Sequence, residues 1–255
     1  MVTIISILNQ KGGVGKTTSS MNIGSWMSTL GYKVLLIDLD PQANLTSAFG
    51  IMNPEFTIYG TMLNEYAIKP YQIDDMLALV ASTPNLSGLE RSLANEIDKE
   101  FILHEKLKNI SNTFDIIILD CPPSLGLITI NALVASTSVY TPLEAQLFST
   151  DGLLKVFEMV NKIQKRLNPM LKIKGIFFTR YDKRKILKRD ILESISNEYP
   201  ELILKSYIRE NISLSEAPHA GMDIFKYDVN AIGCLDYSDL AEEILSKENF
   251  TKHLK

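Results

Sequence analysis

The sequence predicts a single-domain α/β fold in which a mostly parallel, twisted sheet is flanked by helices on both faces. Five short apolar runs, 2–8, 34–37, 116–119, 138–143 and 173–178, are continuous rather than alternating, as strands buried on both faces are. Helical stretches at 17–30, 96–110, 127–135, 151–167 and 186–198 separate them, the alternation that builds βαβ units. Three of the runs end in glycine-rich, polar or charged loops, and such sheets bind ligands beyond the carboxyl ends of their strands.

The remaining elements follow from punctuation. Segment 50–95 is broken by Pro54, Gly60, Pro70, Pro84 and Gly88, so loops and short helices are expected there, with one strand near 77–81. A last helix is expected over 237–247. At 255 residues with an apolar fraction of 45%, one domain with an ordinary core suffices. Cys121 and Cys234 lie far apart, which points to neither a disulfide framework nor a zinc site. No basic-led signal segment and no apolar stretch of ~20 residues is present, so a cytoplasmic protein is expected.

The first loop, NQKGGVGKTT (9–18), follows a strand and opens a helix, the context of a phosphate-binding loop. Gly12, Gly13 and Gly15 let the backbone wrap phosphate oxygens, with Val14 between them, and the helix start adds its positive end. Lys16 is expected at the β- and γ-phosphates, Thr17 on Mg²⁺ and Thr18 on the α-phosphate. The fold is thus a P-loop NTPase, although Gln10 occupies the usual first glycine and Lys11 adds a second lysine.

The second loop, DLDPQANLT (38–46), sets Asp38 and Asp40 two residues apart. Alone, the pair would read first as a turn or helix cap, but beside the first loop they are expected to divide the work, one near the metal and one orienting the attacking water. The third loop, DCPPSLG (120–126), follows four apolar residues and places Asp120 where a Walker B carboxylate holds Mg²⁺. Pro122, Pro123 and Gly126 stiffen the turn after it.

KGGVGKTT (11–18), DLDPQANLTSAFG (38–50), DCPPSLGLITINAL (120–133), TRYDKR (179–184) and LSEAPHAG (214–221) resemble, in this order and spacing, the ParA/Soj partition ATPases of the deviant Walker A group, which also contains MinD. In that family's KGGxxGK[ST] pattern the early lysine replaces the missing glycine. ATP carries about four negative charges, of which Mg²⁺ and Lys16 offset roughly three, leaving the transition state short of a cation. The resemblance implies that Lys11 supplies it across a homodimer interface with two sandwiched ATP molecules. It further implies that Asp40 positions water, that Asp38 and Asp120 support Mg²⁺, that Glu216 and Pro218 lie by the adenine, and that the activity is slow ATP hydrolysis switched by a ParB-type partner.

Charge points to the other partner. The net charge is −4, yet 162–189 holds eleven Lys or Arg and a single acid, Asp182, so that window carries +10 and the remainder −14. Nonspecific double-stranded DNA is therefore expected, as the resemblance also implies, with a nucleoid-associated location. Family members commonly read RNVRLSEAP where this chain reads RENISLSEAP, with Glu210 and Ser213 at the arginine positions. The expected DNA contacts are instead Lys183, Arg184, Lys185, Lys188 and Arg189, with Arg209; a solvated helix face is the plainer account of the same charges. The phosphate loop begins within ten residues of Met1, so no N-terminal helix-turn-helix is expected.

Two rivals have distinguishing features. A MinD-like ATPase acting on a membrane or scaffold wants an amphipathic tail, whereas SKENFTKHLK offers only Phe250 and Leu254 as large apolar residues. A redox ATPase of the nitrogenase iron-protein type wants cluster-ligating cysteines, which Cys121 and Cys234 do not supply as a pair.

Overall fold

The computed structural model describes residues 2–146 and 149–250. The chain runs β1 (Thr3–Ile7), α1 (Lys16–Thr29), β2 (Val34–Asp38), α2 (Asn44–Ala48), α3 (Ile58–Met62), β3 (Tyr71–Asp74), β4 (Leu77–Val80), α4 (Leu89–Ser92), α5 (Ile102–Lys108), β5 (Ile116–Asp120) and α6 (Leu127–Ala135). It continues with β6 (Ser138–Glu144), α7 (Ser149–Arg166), β7 (Lys172–Thr179), α8 (Ile186–Glu198), α9 (Ser213–Glu216), α10 (Ile224–Tyr227) and α11 (Ile232–Lys247). One seven-stranded sheet has the order β3-β4-β2-β5-β1-β6-β7, parallel throughout except for the β3–β4 pair at one edge.

The continuous apolar runs have the expected cause. In β1, Ile4 joins one core with Leu8, Leu35, Ile37, Ile117 and Leu119, while Ile5 and Ile7 join the opposite core with Val34, Leu36, Ile116 and Ile118. Side chains still alternate, but both faces are covered, so every position is apolar. Helices α5, α6 and α7 cover the first face, and α1 and α11 the second. Helix α1 lies very close to the sheet. A methyl at Gly24 would stand 2.6 Å from Leu36 Cδ2, so a side chain there would have to displace Leu36.

Three elements differ from expectation. The helix over 96–110 begins only at Ile102, after a 3-10 turn at Lys99–Phe101. Asp98 takes a left-handed backbone at φ 55°, and the Asn131 side chain accepts from Leu103 N–H at 3.1 Å and donates to the Lys99 carbonyl at 2.9 Å. The last helix starts at Ile232 rather than 237. Within 50–95 the strand near 77–81 is present, joined by an edge strand, β3, that the breakers concealed.

The end of α11 is anchored by one side chain. Glu248, with 4% of its side chain exposed, accepts from Ser138 Oγ at 2.7 Å and Tyr140 OH at 2.9 Å, and pairs with Lys174 Nζ at 2.6 Å. Removing it takes the shared acceptor from three donors, of which Lys174 keeps only the Lys247 carbonyl at 3.3 Å and Ser138 only Thr137 Oγ1 at 3.4 Å. Glu248→Ala is expected to cost about 2–4 kcal/mol, read as a lower urea midpoint. The tail expectation falls partly outside the described residues, which end at Phe250; that ring packs edge-on against Tyr32 at 5.1 Å between centroids. Among the described residues no helix is long and apolar enough to cross a membrane.

Candidate functional site

Parallel register brings the three loops together. Ile7, the last residue of β1, pairs with Asp120 of β5, and Asp120 pairs with Asp38 of β2, so the loops after β1, β2 and β5 start side by side at one sheet edge. The first loop is bolted at both flanks. Asn9 Nδ2 donates to the Pro142 carbonyl at 2.7 Å while its Oδ1 accepts from Lys11 N–H at 2.9 Å, and Thr179 Oγ1 donates to the Val14 carbonyl at 2.9 Å. Gly13 and Gly15 take φ of 75° and 87°, conformations that a side chain would strain. Glycine spacing therefore becomes a fixed cradle at the start of α1, whose first-turn N–H groups are available to an anion.

Lys16 is buried, and its Nζ donates to the Lys11 carbonyl at 3.2 Å. Burial lowers its pKa, opposed by the nearby charges of Asp120 and Asp40. Asp38 and Asp120 are both fully buried. Desolvation raises both carboxyl pKa values, and a neighbouring carboxylate adds to it, Asp40 for Asp38 and Asp38 for Asp120; hydrogen bonds from Thr46 to Asp38 and from Thr17 and Ser20 to Asp120 pull the other way. Asp38 Oδ2 accepts from Thr46 N–H at 2.9 Å and Thr46 Oγ1 at 2.7 Å, and Asp120 Oδ1 from Ser20 Oγ at 3.0 Å.

Two buried like charges at adjacent strand ends are costly without a cation. Asp120 Oδ2, moreover, has no hydrogen-bond partner. A hydrated divalent ion beside the Thr17 hydroxyl satisfies that oxygen and both charges, so the donor set fits Mg²⁺. Among the described residues no cluster of three His, Cys, Asp or Glu forms a protein-only cage, as expected for an ion that keeps water and phosphate ligands.

Asp40 differs from Asp38 because the strand ends between them. It is half-buried, its Oδ1 accepts from Gln42 N–H at 2.9 Å, and its carbonyl accepts from Ser82 Oγ at 2.8 Å. Asp40 lines a cavity of about 690 Å³ together with Gly12, Gly13, Lys16, Thr17, Thr18 and Pro218. Glu216 lies outside that wall, where its Oε2 accepts from Tyr227 OH at 3.1 Å. Lys11 is also absent from the cavity wall, and its Nζ donates to Gln146 Oε1 at 2.6 Å.

Several site residues gave no sequence signal. Asn9, Ser20 and Thr46 hold the loop and the two carboxylates, yet a lone Asn, Ser or Thr is common everywhere. Arg180 and His219 line the cavity from distant loops. Cys121 is a packing residue: its thiol is buried, pushed up to about 12 by desolvation, and donates to the Leu119 carbonyl at 3.7 Å.

The cationic window is less free than its charge count. Arg184 forks onto Asp182, with Nε–Oδ1 and Nη2–Oδ2 both 2.9 Å, and Lys185 lies 3.7 Å from Glu210. Lys188 Nζ donates to the Arg180 carbonyl. Arg209 is committed to Asp236 on α11 through Nε at 2.9 Å and through Nη2. Among the described residues Lys183 and Arg189 have no ion-pair partner. Strand β7, eight residues long, separates 162–172 from 180–189 by roughly 26 Å, so the window is two patches.

Comparison with known proteins agrees with this geometry. The AAA domain family matches residues 2–173. The sporulation initiation inhibitor protein Soj of Bacillus subtilis is 39% identical over 250 residues, covering 96% of this chain and 98% of that protein. The chromosome-partitioning ATPase Soj of Treponema pallidum is 37% identical over 245 residues, covering 94% of this chain and 96% of its own. Among solved structures, a plasmid partition protein from Borrelia burgdorferi bound to AMPPNP superposes with a TM-score of 0.84 at 28% identity, covering 97% of this chain and 100% of that one. A phosphate loop backed by two buried strand-end carboxylates, on a chain related to these proteins over nearly its whole length, places it in the ParA/Soj family of P-loop partition ATPases.

Proposed function

We propose that this ATPase hydrolyses MgATP slowly within a homodimer that sandwiches two nucleotides, that the ATP-bound dimer binds nonspecific double-stranded DNA in the cytoplasm at the nucleoid, and that a ParB-type centromere-binding protein switches it. The observation that carries this reading is the division of labour in one cavity. Two buried carboxylates, Asp38 and Asp120, stand behind Lys16 and Thr17, while a third, Asp40, is left in the cavity wall.

The residues then take distinct parts. The amides of the first loop and Lys16 bind the phosphates, Lys16 exchanging the Lys11 carbonyl for phosphate oxygens. Thr17, Asp38 and Asp120 would hold Mg²⁺, which would offset charge on the nucleotide phosphates. Asp40 accepts a hydrogen bond from the attacking water and sets it in line with the γ-phosphorus. Lys11, whose ammonium is turned away from its own cavity toward Gln146, supplies the missing cation to the partner's nucleotide. Glu216 and Pro218 lie at the adenine end. The whole of 1–255 serves as one ATPase domain.

For DNA, Lys183 and Arg189 are the contacts with most to offer, followed by the solvated sides of Arg184, Lys185 and Lys188; Arg209 contributes least because Asp236 occupies its fork. DNA affinity measured at several salt concentrations with ATP, ADP and no nucleotide tests nucleotide switch and partner together. Tight binding is expected with ATP alone, falling steeply with salt, and the Lys183→Ala/Arg189→Ala variant is expected to flatten the log–log salt slope by roughly 0.9 per lost contact. Salt-insensitive binding, or none, overturns the DNA assignment. Ile186 and Leu187, 65% and 52% exposed amid these cations, favour a second reading in which the patch meets a membrane or protein scaffold. Sedimentation with anionic liposomes and ATP separates the two.

A further inference from the structure

Glu90, the second residue of α4, holds a partner far along the chain. Its Oε1 accepts from the N–H of Leu127, the first residue of α6, at 2.7 Å, although Glu90 itself is exposed. Gly126, which precedes that amide, caps α6 without a side chain. Glu90 therefore supplies from outside the acceptor that a Ser or Asp would supply in place, and its charge suits a helix N-terminus. Gly126 also makes the room, since a Cβ there would stand 2.5 Å from Glu90 Oε1. Packing keeps Glu90 within reach: Leu86, Leu89 and Leu93 are buried in the same core as Leu127, Ile128 and Ala132 of α6.

Gly126 and Leu127 end the loop that leaves Asp120 and sets Pro123 in the wall of the phosphate-loop cavity. The start of that loop is tied twice. Cys121 N–H donates to the Ile7 carbonyl at 3.3 Å, and the Asp120 carbonyl accepts from Leu39 N–H at 3.0 Å, which joins it to the loop of Asp40. Pro122 and Pro123 fix φ in between, so a shift at Leu127 is carried back to Pro123. The segment that bears Glu90 also reaches the other loop. Ser82 Oγ donates to the Asp40 carbonyl at 2.8 Å, and Ser82 N–H donates at 2.9 Å to Thr46 Oγ1, the hydroxyl that donates to Asp38. Residues 82–90 thus run as a brace from the Asp40 loop to the far end of the Pro123 loop. Strand pairing joins the two loops only at their roots, where each could still swing; the brace is the second joint that stops them.

We infer that Glu90 is a positioning residue for hydrolysis: through Leu127 and the 82–90 brace it keeps the Pro123 wall fixed relative to Asp40. The inference rests on Asp40 orienting the attacking water. Glu90 does not line the cavity, so it acts only through the loop it holds. In-line attack is sensitive to misplacement of this kind, an ångström being worth up to about a hundredfold in rate, whereas the phosphate contacts made by the first loop are untouched by it.

Turnover and ATPγS titration of the full chain test this, using wild type, Glu90→Ala, Glu90→Gln, Gly126→Ala and the Glu90→Ala/Gly126→Ala double variant. Glu90→Ala is expected to lose about ten- to a hundredfold in kcat while ATPγS affinity stays within about twofold of wild type. Its Tm is expected to fall by about 2–4 °C, the scale of a lost helix cap. Glu90→Gln is expected to recover most of the rate, because its amide oxygen offers Leu127 the same acceptor. Gly126→Ala, whose methyl pushes Glu90 off the amide, is expected to match Glu90→Ala, and the double variant to be no slower than either. Wild-type kcat with a lowered Tm in Glu90→Ala reduces the bond to a helix cap and overturns the inference. A Gln variant as slow as the Ala one overturns it too, as does a loss of ATPγS affinity as large as the loss of rate. Asp40→Ala, assayed alongside, separates the two levels: full turnover there removes the water-positioning reading on which the inference rests.

Discussion

Lys11→Ala is expected to bind ATP nearly as well as wild type and to lose about 10³-fold or more in kcat, the scale on which a trans-acting cation contributes to phosphoryl transfer. The reason lies in which way each lysine faces. Lys16 is buried behind the loop with its ammonium on the Lys11 carbonyl, within the field of Asp120 and Asp40. Lys11 donates outward to Gln146 and contributes nothing to the wall of its own cavity. Its loss should therefore spare the first nucleotide contacts and remove the charge that a second protomer lends. Equilibrium binding of ATPγS together with sedimentation velocity separates the two effects: unchanged affinity with a lost or unproductive dimer is expected. Full turnover in Lys11→Ala would dismiss the trans-acting role.

Asp40→Ala should do the converse, keeping ATP-dependent dimerisation while turnover falls by about 10²–10⁴-fold, the usual contribution of a group that orients a proton-losing nucleophile. Asp40 is half-buried and stands in the cavity wall. Truncating it removes no core packing, and the Ser82 bond that fixes the local backbone goes to its carbonyl, which alanine retains. Stability should therefore change little. Normal hydrolysis by this variant would show that another group handles the water. Asp38, two residues earlier, is fully buried and pinned by Thr46, so its substitution would mix folding and metal effects and makes the poorer probe.

Much of this site was legible in the sequence because its chemistry is local. A glycine loop between a strand and a helix, a carboxylate ending a buried strand and a DxD pair each occupy a few consecutive residues, and their backbone requirements restrict the residue types. The continuous apolar runs announced a doubly covered parallel sheet for the same reason: burial on both faces removes the polar half of the alternation. Pro70, by contrast, masked an edge strand whose side chains are only partly buried, since an edge is held by one neighbour and needs no distinctive pattern. Helix 96–110 was overread because apolar spacing cannot register that Asn131, some thirty residues away, holds the backbone at Leu103 and Lys99 in a different turn.

The sequence by itself determined the sheet class, the phosphate loop, the two strand-end carboxylates with Asp40 beside them, and the surplus lysine, all set by short-range spacing. Only the tertiary structure decided the strand order, the pairing of Asp38 with Asp120 across β2 and β5, and the partners of the cations. Arg209 was free by sequence and is bound to Asp236, twenty-seven residues away. Arg180 read as one more charge in a basic window, and the β7 end set it against Glu144 at the mouth of the cavity. The physical reason is common to these cases: a buried or shared charge is defined by what surrounds it in three dimensions, and those neighbours are distant in the chain.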